Sequence, residues 1–136
     1  MADFEDNSKG KKMRLLIADD SEILRSRLIE MLNHIPGIEI VGEVENGVDA
    51  VVFADRLKPD VIILDIRMPD ADGILALESI RRSNSISKII ILTNYPYPQY
   101  KQKCLEAGAD YFFSKSEEID KMLGTLQDIK QQFVQV

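Results

Sequence analysis

The sequence predicts a doubly wound α/β fold, in which five helices cover both faces of a five-stranded parallel sheet. The first observation is that short apolar runs alternate along the chain with longer segments whose apolar residues recur every three or four positions. These patterns are typical of buried strands and amphipathic helices. The second observation is that a helix-length segment separates each apolar run from the next. Parallel strands need such crossovers, which are almost always right-handed. A length of 136 residues suits one domain.

Five apolar runs are predicted as strands because they are short and consist largely of aliphatic or aromatic residues. In chain order, the predicted strands are Met13–Ala18, Ile38–Val44, Val61–Leu64, Ile89–Leu92 and Tyr111–Ser114. The third and fourth runs contain only aliphatic residues, which is typical of central strands buried on both faces. We therefore expect these two strands to be central in the sheet.

The first predicted helix follows Ser21, whose hydroxyl can accept a hydrogen bond from the free N–H groups of the first turn. The Pro36-Gly37 pair ends this helix. Its expected buried face consists of Ile23, Leu24, Leu28, Met31, Leu32 and Ile35.

The four remaining helices follow the other strands in turn. They are predicted at Val48–Leu57, at Ile74–Arg82, from about Tyr100 to Ala107, and at Glu117–Phe133. Gly108 is suited to end the fourth helix because glycine readily adopts the left-handed conformation. The segment 68–73 is rich in turn residues and is predicted as a loop.

Composition excludes several classes of protein. Residues 1–12 carry mixed charges and no apolar run, so we expect a disordered tail followed by one domain over residues 13–136. No apolar run approaches the ~20 residues of a membrane helix, and the tail lacks the pattern of a signal peptide. We therefore expect a cytoplasmic protein without membrane insertion.

The net charge of −6 disfavours direct binding of nucleic acid. The single cysteine, Cys104, excludes an internal disulfide and is expected to be packed in a helix.

Three acidic residues follow two of the predicted strands. Asp19 and Asp20 come directly after the first strand, and Asp65 comes directly after the third. Open α/β sheets bind ligands at the carboxyl edge of their strands. Three carboxylates gathered there would repel one another unless a cation joins them. Their hard oxygen atoms suit Mg²⁺, so the sequence predicts a magnesium site.

Two further polar residues follow strands and would reach the same edge. Thr93 follows the fourth strand, and Lys115 follows the fifth. The Asp65 carboxylate can attack phosphorus and form an acyl phosphate. Lys115 and Thr93 would then supply a positive charge and a hydroxyl donor to the phosphoryl oxygens. The backbone carbonyl of Arg67 is a further candidate ligand for the metal.

Each of these residues alone has an ordinary structural explanation. Asp19 and Asp20 could simply favour the amino end of the following helix. A lone threonine at a strand end usually satisfies a backbone group, and a lone lysine is usually solvated. Asp65 is harder to explain structurally because an acid ending a buried strand is costly unless it is solvated or liganded. The coincidence of all five residues favours a functional site.

The chain resembles a response-regulator receiver domain of two-component signalling, of the single-domain chemotaxis type. The matching stretches are Leu16–Asp20, Ile63–Gly73, Ile91–Thr93 and Ala107–Lys115. The resemblance covers about residues 13–133 and implies the flavodoxin-like receiver fold. It implies that Asp65 is the phosphoacceptor, that Asp19 and Asp20 are Mg²⁺ ligands, and that Lys115 binds phosphate. It further implies that Thr93 is the switch hydroxyl and Phe112 the switch aromatic residue.

The resemblance also implies how such a module would signal. The phosphoryl donor would be a phosphohistidine on a sensor histidine kinase or on a phosphotransfer protein. Phosphorylation would draw Thr93 inward, and Phe112 would swing into the space that this vacates. A downstream protein would then be regulated through the face of the fourth helix, fifth strand and fifth helix. We expect a monomer or a phosphorylation-dependent dimer, which catalyses only its own phosphorylation and dephosphorylation.

Other readings of the same residues stay open. A phosphohydrolase that uses an aspartyl phosphate would have a second acid two residues after the nucleophile, where this chain has Arg67. A relay intermediate would pass its phosphate to another histidine, and a degenerate receiver would signal by binding alone. Most members of the family carry proline after the lysine, where this chain has Ser116. The sequence leaves the cis or trans state of the Lys115–Ser116 bond undecided.

Overall fold

The computed structural model describes residues 11–67, 73–84 and 86–135. Within these residues, five parallel strands form one sheet in the order β2-β1-β3-β4-β5. The strands are β1 (Met13–Ala18), β2 (Ile38–Val44), β3 (Val61–Leu64), β4 (Lys88–Thr93) and β5 (Tyr111–Ser114). The predicted parallel sheet is therefore confirmed. Residues 1–10 of the predicted tail and residues 68–72 of the predicted loop lie outside the described residues.

In the described part of the chain, five helices alternate with the strands. They are α1 (Glu22–Leu32), α2 (Gly47–Leu57), α3 (Gly73–Ser83), α4 (Pro98–Glu106) and α5 (Ile119–Gln135). Ser21 caps α1 as expected, because its side chain accepts a hydrogen bond from the backbone N–H of Leu24. Gly108 follows α4 with φ of +113°, a conformation that residues with a Cβ rarely adopt. None of the described helices is both long enough and apolar enough to cross a lipid bilayer.

The strand order brings distant parts of the chain to one edge of the sheet. The last residue of β1, Ala18, lies opposite Leu64 of β3, and Leu64 lies opposite Ile91 of β4. Thr93 at the end of β4 lies opposite Ser114 at the end of β5. Because the strands are parallel, the residues that follow them emerge at the same carboxyl edge. The chain order reverses between β1 and β3, and open α/β sheets bind ligands at such a switch point.

Alternate residues of each strand enter two separate cores. On one face, Leu16, Leu64 and Phe112 pack in a cluster that includes residues of α2, α3 and α4. On the other face, Leu15 and Ile63 pack with residues of α1 and α5. Full burial of one such aliphatic side chain stabilises the fold by about 1.5–3 kcal/mol. The central strands are buried on both sides, which explains their continuous aliphatic sequences.

The expected buried face of α1 was wrong at one position. The Ile23 side chain is 70% exposed. Arg25 is buried instead, together with Leu28 and Leu32. An arginine can occupy this face because its guanidinium finds polar partners there. Cys104 is buried in α4, as predicted.

The start of α3 depends on the absence of a side chain at Gly73. A Cβ atom at this position would lie 2.3 Å from the Ile66 Cα atom and 2.5 Å from its carbonyl oxygen. We expect Gly73→Ala to lower the free energy of unfolding by about 1–3 kcal/mol, because backbone atoms must move. Gly124→Ala in α5 is the control, since a Cβ there meets nothing within 4 Å. That change should raise the free energy of unfolding by about 0.5–1 kcal/mol. Urea denaturation measures both values, and a neutral Gly73→Ala would contradict this account.

Candidate functional site

The five polar residues predicted to share the carboxyl edge lie there in the structure. Asp19 and Asp65 are 3% and 5% exposed, and Thr93 is fully buried. Asp20 is exposed at the mouth of the site. Lys115 follows β5, and its backbone N–H donates a hydrogen bond of 2.8 Å to the carbonyl oxygen of Thr93. The fold therefore buries two carboxylates in a place where each needs a polar partner.

The Lys115 ammonium lies between the two buried carboxylates. Its Nζ atom is 2.6 Å from Asp19 Oδ2 and 2.9 Å from Asp65 Oδ2. The Lys115 side chain is only 8% exposed. Bonds between a charged donor and a charged acceptor are short and strong. One cation thus joins side chains from the ends of β1, β3 and β5.

The second oxygen of each buried carboxylate is held by the backbone. Asp19 Oδ1 accepts a hydrogen bond of 2.8 Å from the N–H of Ser21. Asp65 Oδ1 accepts one of 3.1 Å from the N–H of Arg67. Both carboxylates are therefore fixed in orientation by local turns, and their Oδ2 atoms face the ammonium.

The acidic side chains suit a divalent cation. Asp19, Asp20 and Asp65 each offer one carboxylate oxygen, and these oxygens all lie within 4.8 Å of one another. Magnesium prefers a small number of carboxylate ligands and retains several waters. The exposed Asp20 leaves one side of the site open for water and for a substrate. The set of carboxylate ligands therefore fits Mg²⁺. Lys115 forms ion pairs with two of the same carboxylates, those of Asp19 and Asp65.

The pKa values of Asp65 and Lys115 are both raised, but for different reasons. Burial raises the pKa of the Asp65 carboxyl above its ordinary value, although bonds from Lys115 and from the Arg67 N–H favour the charged form. Burial lowers the pKa of the Lys115 ammonium, but its hydrogen bonds to Asp19 and Asp65 and their charges outweigh burial. The net pKa of Lys115 is therefore raised. The charged partners outweigh burial at Lys115 but not at Asp65, because Lys115 has two anionic partners, whereas Asp65 shares one cation with Asp19.

Two large exposed side chains, here called the rim, belong to Arg67 and Tyr95, which follow Asp65 and Thr93 by two residues each. The guanidinium carbon of Arg67 lies 4.4 Å from the centre of the Tyr95 ring, within the range of a cation–π interaction. The backbone N–H of Tyr95 donates a hydrogen bond of 3.0 Å to Thr93 Oγ1. The rim is therefore connected to the buried hydroxyl of Thr93 through a single residue.

Comparison with known proteins decides the family. A family model described as the response regulator receiver domain matches residues 15–127. The chain belongs to the response regulator receiver domain family. It is thus a receiver domain of the kind found in two-component response regulators, which is consistent with signalling switched by phosphorylation.

Relatives and solved structures agree with this assignment. The chain is 38% identical, over 89% of its length, to a protein-glutamate methylesterase/protein-glutamine glutaminase of Alkalilimnicola ehrlichii. The matched residues span only 31% of that relative. The response regulator domain of Thermotoga maritima CheB superposes with a TM-score of 0.79 at 29% identity, covering 92% of this chain and 98% of that chain. The CheX-CheY-BeF3-Mg complex from Borrelia burgdorferi gives a TM-score of 0.80 at 27% identity, covering 86% and 88%.

Arg25 is a residue of this site that the sequence reasoning missed. One of its guanidinium nitrogens, Nη1, donates a hydrogen bond to the carbonyl oxygen of Asp19. Its Nε atom donates to Glu43 Oε1 at 3.2 Å. In the receiver domain, Arg25 therefore fixes the backbone of the first acidic residue against β2. The available signal was a charged residue that shares the periodicity of Leu28 and Leu32.

The expected inward swing of Phe112 would start from a ring that is already buried. Phe112 is only 9% exposed and already packs in the core cluster on its face of the sheet. A phenylalanine has no hydroxyl that needs water, so its burial carries no polar penalty. Its role as the switch residue of the receiver domain stays a prediction, but an exposed ring is not its resting position.

The bond between Lys115 and Ser116 is trans. No cis peptide bond occurs among the described residues. The question that the sequence left undecided is answered for this receiver domain, and Ser116 donates its N–H to Ser114 Oγ at 3.3 Å.

The raised pKa of Asp65 predicts a pH-dependent stability. Its charged form is disfavoured by folding, so metal-free Asp65→Asn should be more stable than the parent protein at neutral pH. The advantage should shrink as the pH falls through the raised pKa, where the parent Asp65 also becomes neutral. Urea denaturation in EDTA over a pH series measures this difference. Exposed Asp128→Asn is the control. An Asp65→Asn protein that is less stable at neutral pH would contradict the assignment of burial as the dominant cause.

Proposed function

We propose that this receiver domain accepts a phosphoryl group on Asp65 from a phosphohistidine of a sensor histidine kinase or of a phosphotransfer protein. The observation that carries the proposal is the position of Lys115, whose Nζ atom is within 3 Å of carboxylates from two different strand ends. Asp20 stands at the open side of the same group of acids. A nucleophile, a cation and candidate metal ligands in one small site are the parts that phosphoryl transfer requires.

Asp65 is the attacking group in this reaction. A P–O bond forms between one carboxylate oxygen and the phosphorus as the P–N bond to the donor histidine breaks. The electron pair of the broken bond returns to the imidazole nitrogen. The product is a mixed anhydride on Asp65, which covalent catalysis through carboxylates commonly forms.

Lys115, together with a metal ion held by the acidic ligands, would neutralise the negative charge of the phosphoryl group. The raised pKa of Lys115 keeps its ammonium charged at neutral pH, so it can move from the Asp65 carboxylate to a phosphoryl oxygen. Mg²⁺ held by Asp19, Asp20 and Asp65, with the Arg67 carbonyl as a candidate further ligand, would neutralise other phosphoryl oxygens. The open side at Asp20 admits the donor.

We further propose that the signal leaves through α4, β5 and α5. Thr93 Oγ1 accepts a hydrogen bond from the Tyr95 N–H, and a phosphoryl group on Asp65 offers the Thr93 hydroxyl a new acceptor. A turn of Thr93 toward that acceptor would release Tyr95 at the entrance to α4. Tyr97 directly before α4 and Leu105 within α4 are exposed, and aromatic residues are enriched in protein interfaces.

A turnover enzyme is the less favoured alternative. Repeated hydrolysis of the aspartyl phosphate needs a general base for water, and the position two residues after Asp65 holds Arg67, whose side chain offers hydrogen-bond donors but no acceptor. Transfer of the phosphate onward to another histidine is compatible with the same geometry. We propose a cytoplasmic signalling protein that is a monomer or a phosphorylation-dependent dimer.

Incubation with acetyl phosphate and Mg²⁺ tests the acceptor role. The intact mass should rise by one phosphoryl group, and Asp65→Asn should abolish the rise. Asp128→Asn, an exposed aspartate on α5, should be phosphorylated like the parent protein, and EDTA should suppress the reaction. Release of many phosphates per protein would favour the phosphohydrolase. No modification of the parent protein by acetyl phosphate or a phosphohistidine donor would overturn the proposal in favour of a receiver that signals by binding alone.

A further inference from the structure

The loop that carries Lys115 is closed by a reciprocal pair of hydrogen bonds between Ser114 and Glu118. The N–H of Ser114 donates to Glu118 Oε1 at 2.9 Å. The N–H of Glu118 donates in return to the carbonyl oxygen of Ser114, also at 2.9 Å. The two residues therefore hold the ends of the loop together, and Lys115 is the first residue inside it.

The position of Ser114 explains why this closure matters. Ser114 ends β5, which among the described strands is an edge strand that pairs with β4 alone. An edge strand presents N–H groups that no neighbouring strand accepts. The Glu118 carboxylate supplies that acceptor to Ser114, which is buried. The second carboxylate oxygen of Glu118, Oε2, lies 3.5 Å from the Lys121 ammonium, which helps to orient the carboxylate.

Ser116 adds a second set of polar contacts inside the loop. Its N–H donates to Ser114 Oγ at 3.3 Å, and the two hydroxyl oxygens lie 3.0 Å apart. A proline at position 116 has no N–H and could not make the first of these bonds. The conformation of this loop therefore rests on hydrogen bonds from Ser114, Ser116 and Glu118.

We propose that Glu118 is a positioning residue for Lys115. A lysine side chain has about 2 kcal/mol of rotamer entropy to lose when it is fixed, so the location of its backbone decides how readily Nζ reaches both acids. The Lys115 backbone is held on one side by the bond to Thr93 and on the other by the closed loop. Glu118 thereby sets the reach of the ammonium to Asp19 and Asp65. This inference deepens the proposed function and rests on it only for the phosphorylation measurement below.

Loss of this closure should change two properties in opposite directions. In the protein without metal, Lys115 occupies carboxylate oxygens of Asp19 and Asp65 and so competes with a divalent cation for them. A Lys115 that is held less firmly competes less, and Mg²⁺ binds more tightly. The same lysine is less well placed for the incoming phosphoryl group, and phosphorylation becomes slower. A general weakening of the fold would instead impair both properties.

The experiment uses the full chain with Glu118→Ala, Glu118→Gln and Glu118→Asp, and with exposed Glu117→Ala as the matched control. Isothermal titration calorimetry gives the Mg²⁺ dissociation constant without a phosphodonor, and intact mass gives the rate of phosphorylation by acetyl phosphate at saturating Mg²⁺. We expect Glu118→Ala to lower both the dissociation constant and the rate by about 3–10-fold. This fold-change corresponds to the net free energy of one typical hydrogen bond. Glu118→Gln retains an acceptor oxygen and should restore both values, and Glu117→Ala should leave both unchanged.

Glu118→Asp and a Lys115→Met background keep the result interpretable. Glu118→Asp is one methylene too short for the contact to Ser114, so it should act in the same direction and replaces Glu118→Ala if that variant does not fold. In a Lys115→Met background, loss of Glu118 should alter neither property, because its effect passes through Lys115.

The proposal is overturned by unchanged Mg²⁺ affinity in both Glu118→Ala and Glu118→Asp, by weaker Mg²⁺ binding in them, or by an equal effect in the Lys115→Met background. A parent protein that is not phosphorylated would defeat the proposed function, while the Mg²⁺ titration would still decide the role of Glu118.

Discussion

The contact of the Lys115 ammonium with Asp19 and Asp65 is the interaction on which the site depends. Two carboxylates that are almost fully buried at neighbouring strand ends would be severely destabilising without a cation. The parallel registers of β1 with β3, β3 with β4 and β4 with β5 bring all three groups to one edge. Arg25 fixes the carbonyl of Asp19 from the other side. The groups at the carboxyl edge are therefore held together by opposite charges, and phosphorylation of Asp65 would alter these charges.

These charged groups connect to the rest of the domain through few residues. Lys115 donates its backbone N–H to the Thr93 carbonyl, and the Thr93 hydroxyl accepts from Tyr95. Tyr95 contacts Arg67, whose N–H holds Asp65. The chain of contacts thus returns to its origin around the mouth of the site. A change in charge at Asp65 reaches every member of this ring within one or two contacts, which is the physical basis for the proposed switch.

The sequence predicted most of the fold and the members of the site, but not their detailed contacts. Strand bounds followed directly from short aliphatic runs such as Val61–Leu64, because both faces of a parallel sheet are buried. Parallel pairing then placed Asp65 and Lys115 at one edge. Helical periodicity failed at Ile23 and Arg25, since a hydrophobicity pattern cannot show that a buried guanidinium has carbonyl and carboxylate partners. The reciprocal bonds of Glu118 likewise depend on a loop conformation that no spacing rule specifies.

The most direct measurement of the central claim is a crystal structure of the protein with Mg²⁺ and beryllofluoride, a mimic of the phosphoryl group. The account predicts beryllium bonded to a carboxylate oxygen of Asp65, with Mg²⁺ on the neighbouring acids. It also predicts that Lys115 Nζ leaves Asp65 and contacts a fluoride. Beryllofluoride bound away from Asp65, or Lys115 remaining on the two carboxylates beside an occupied Asp65, would contradict it.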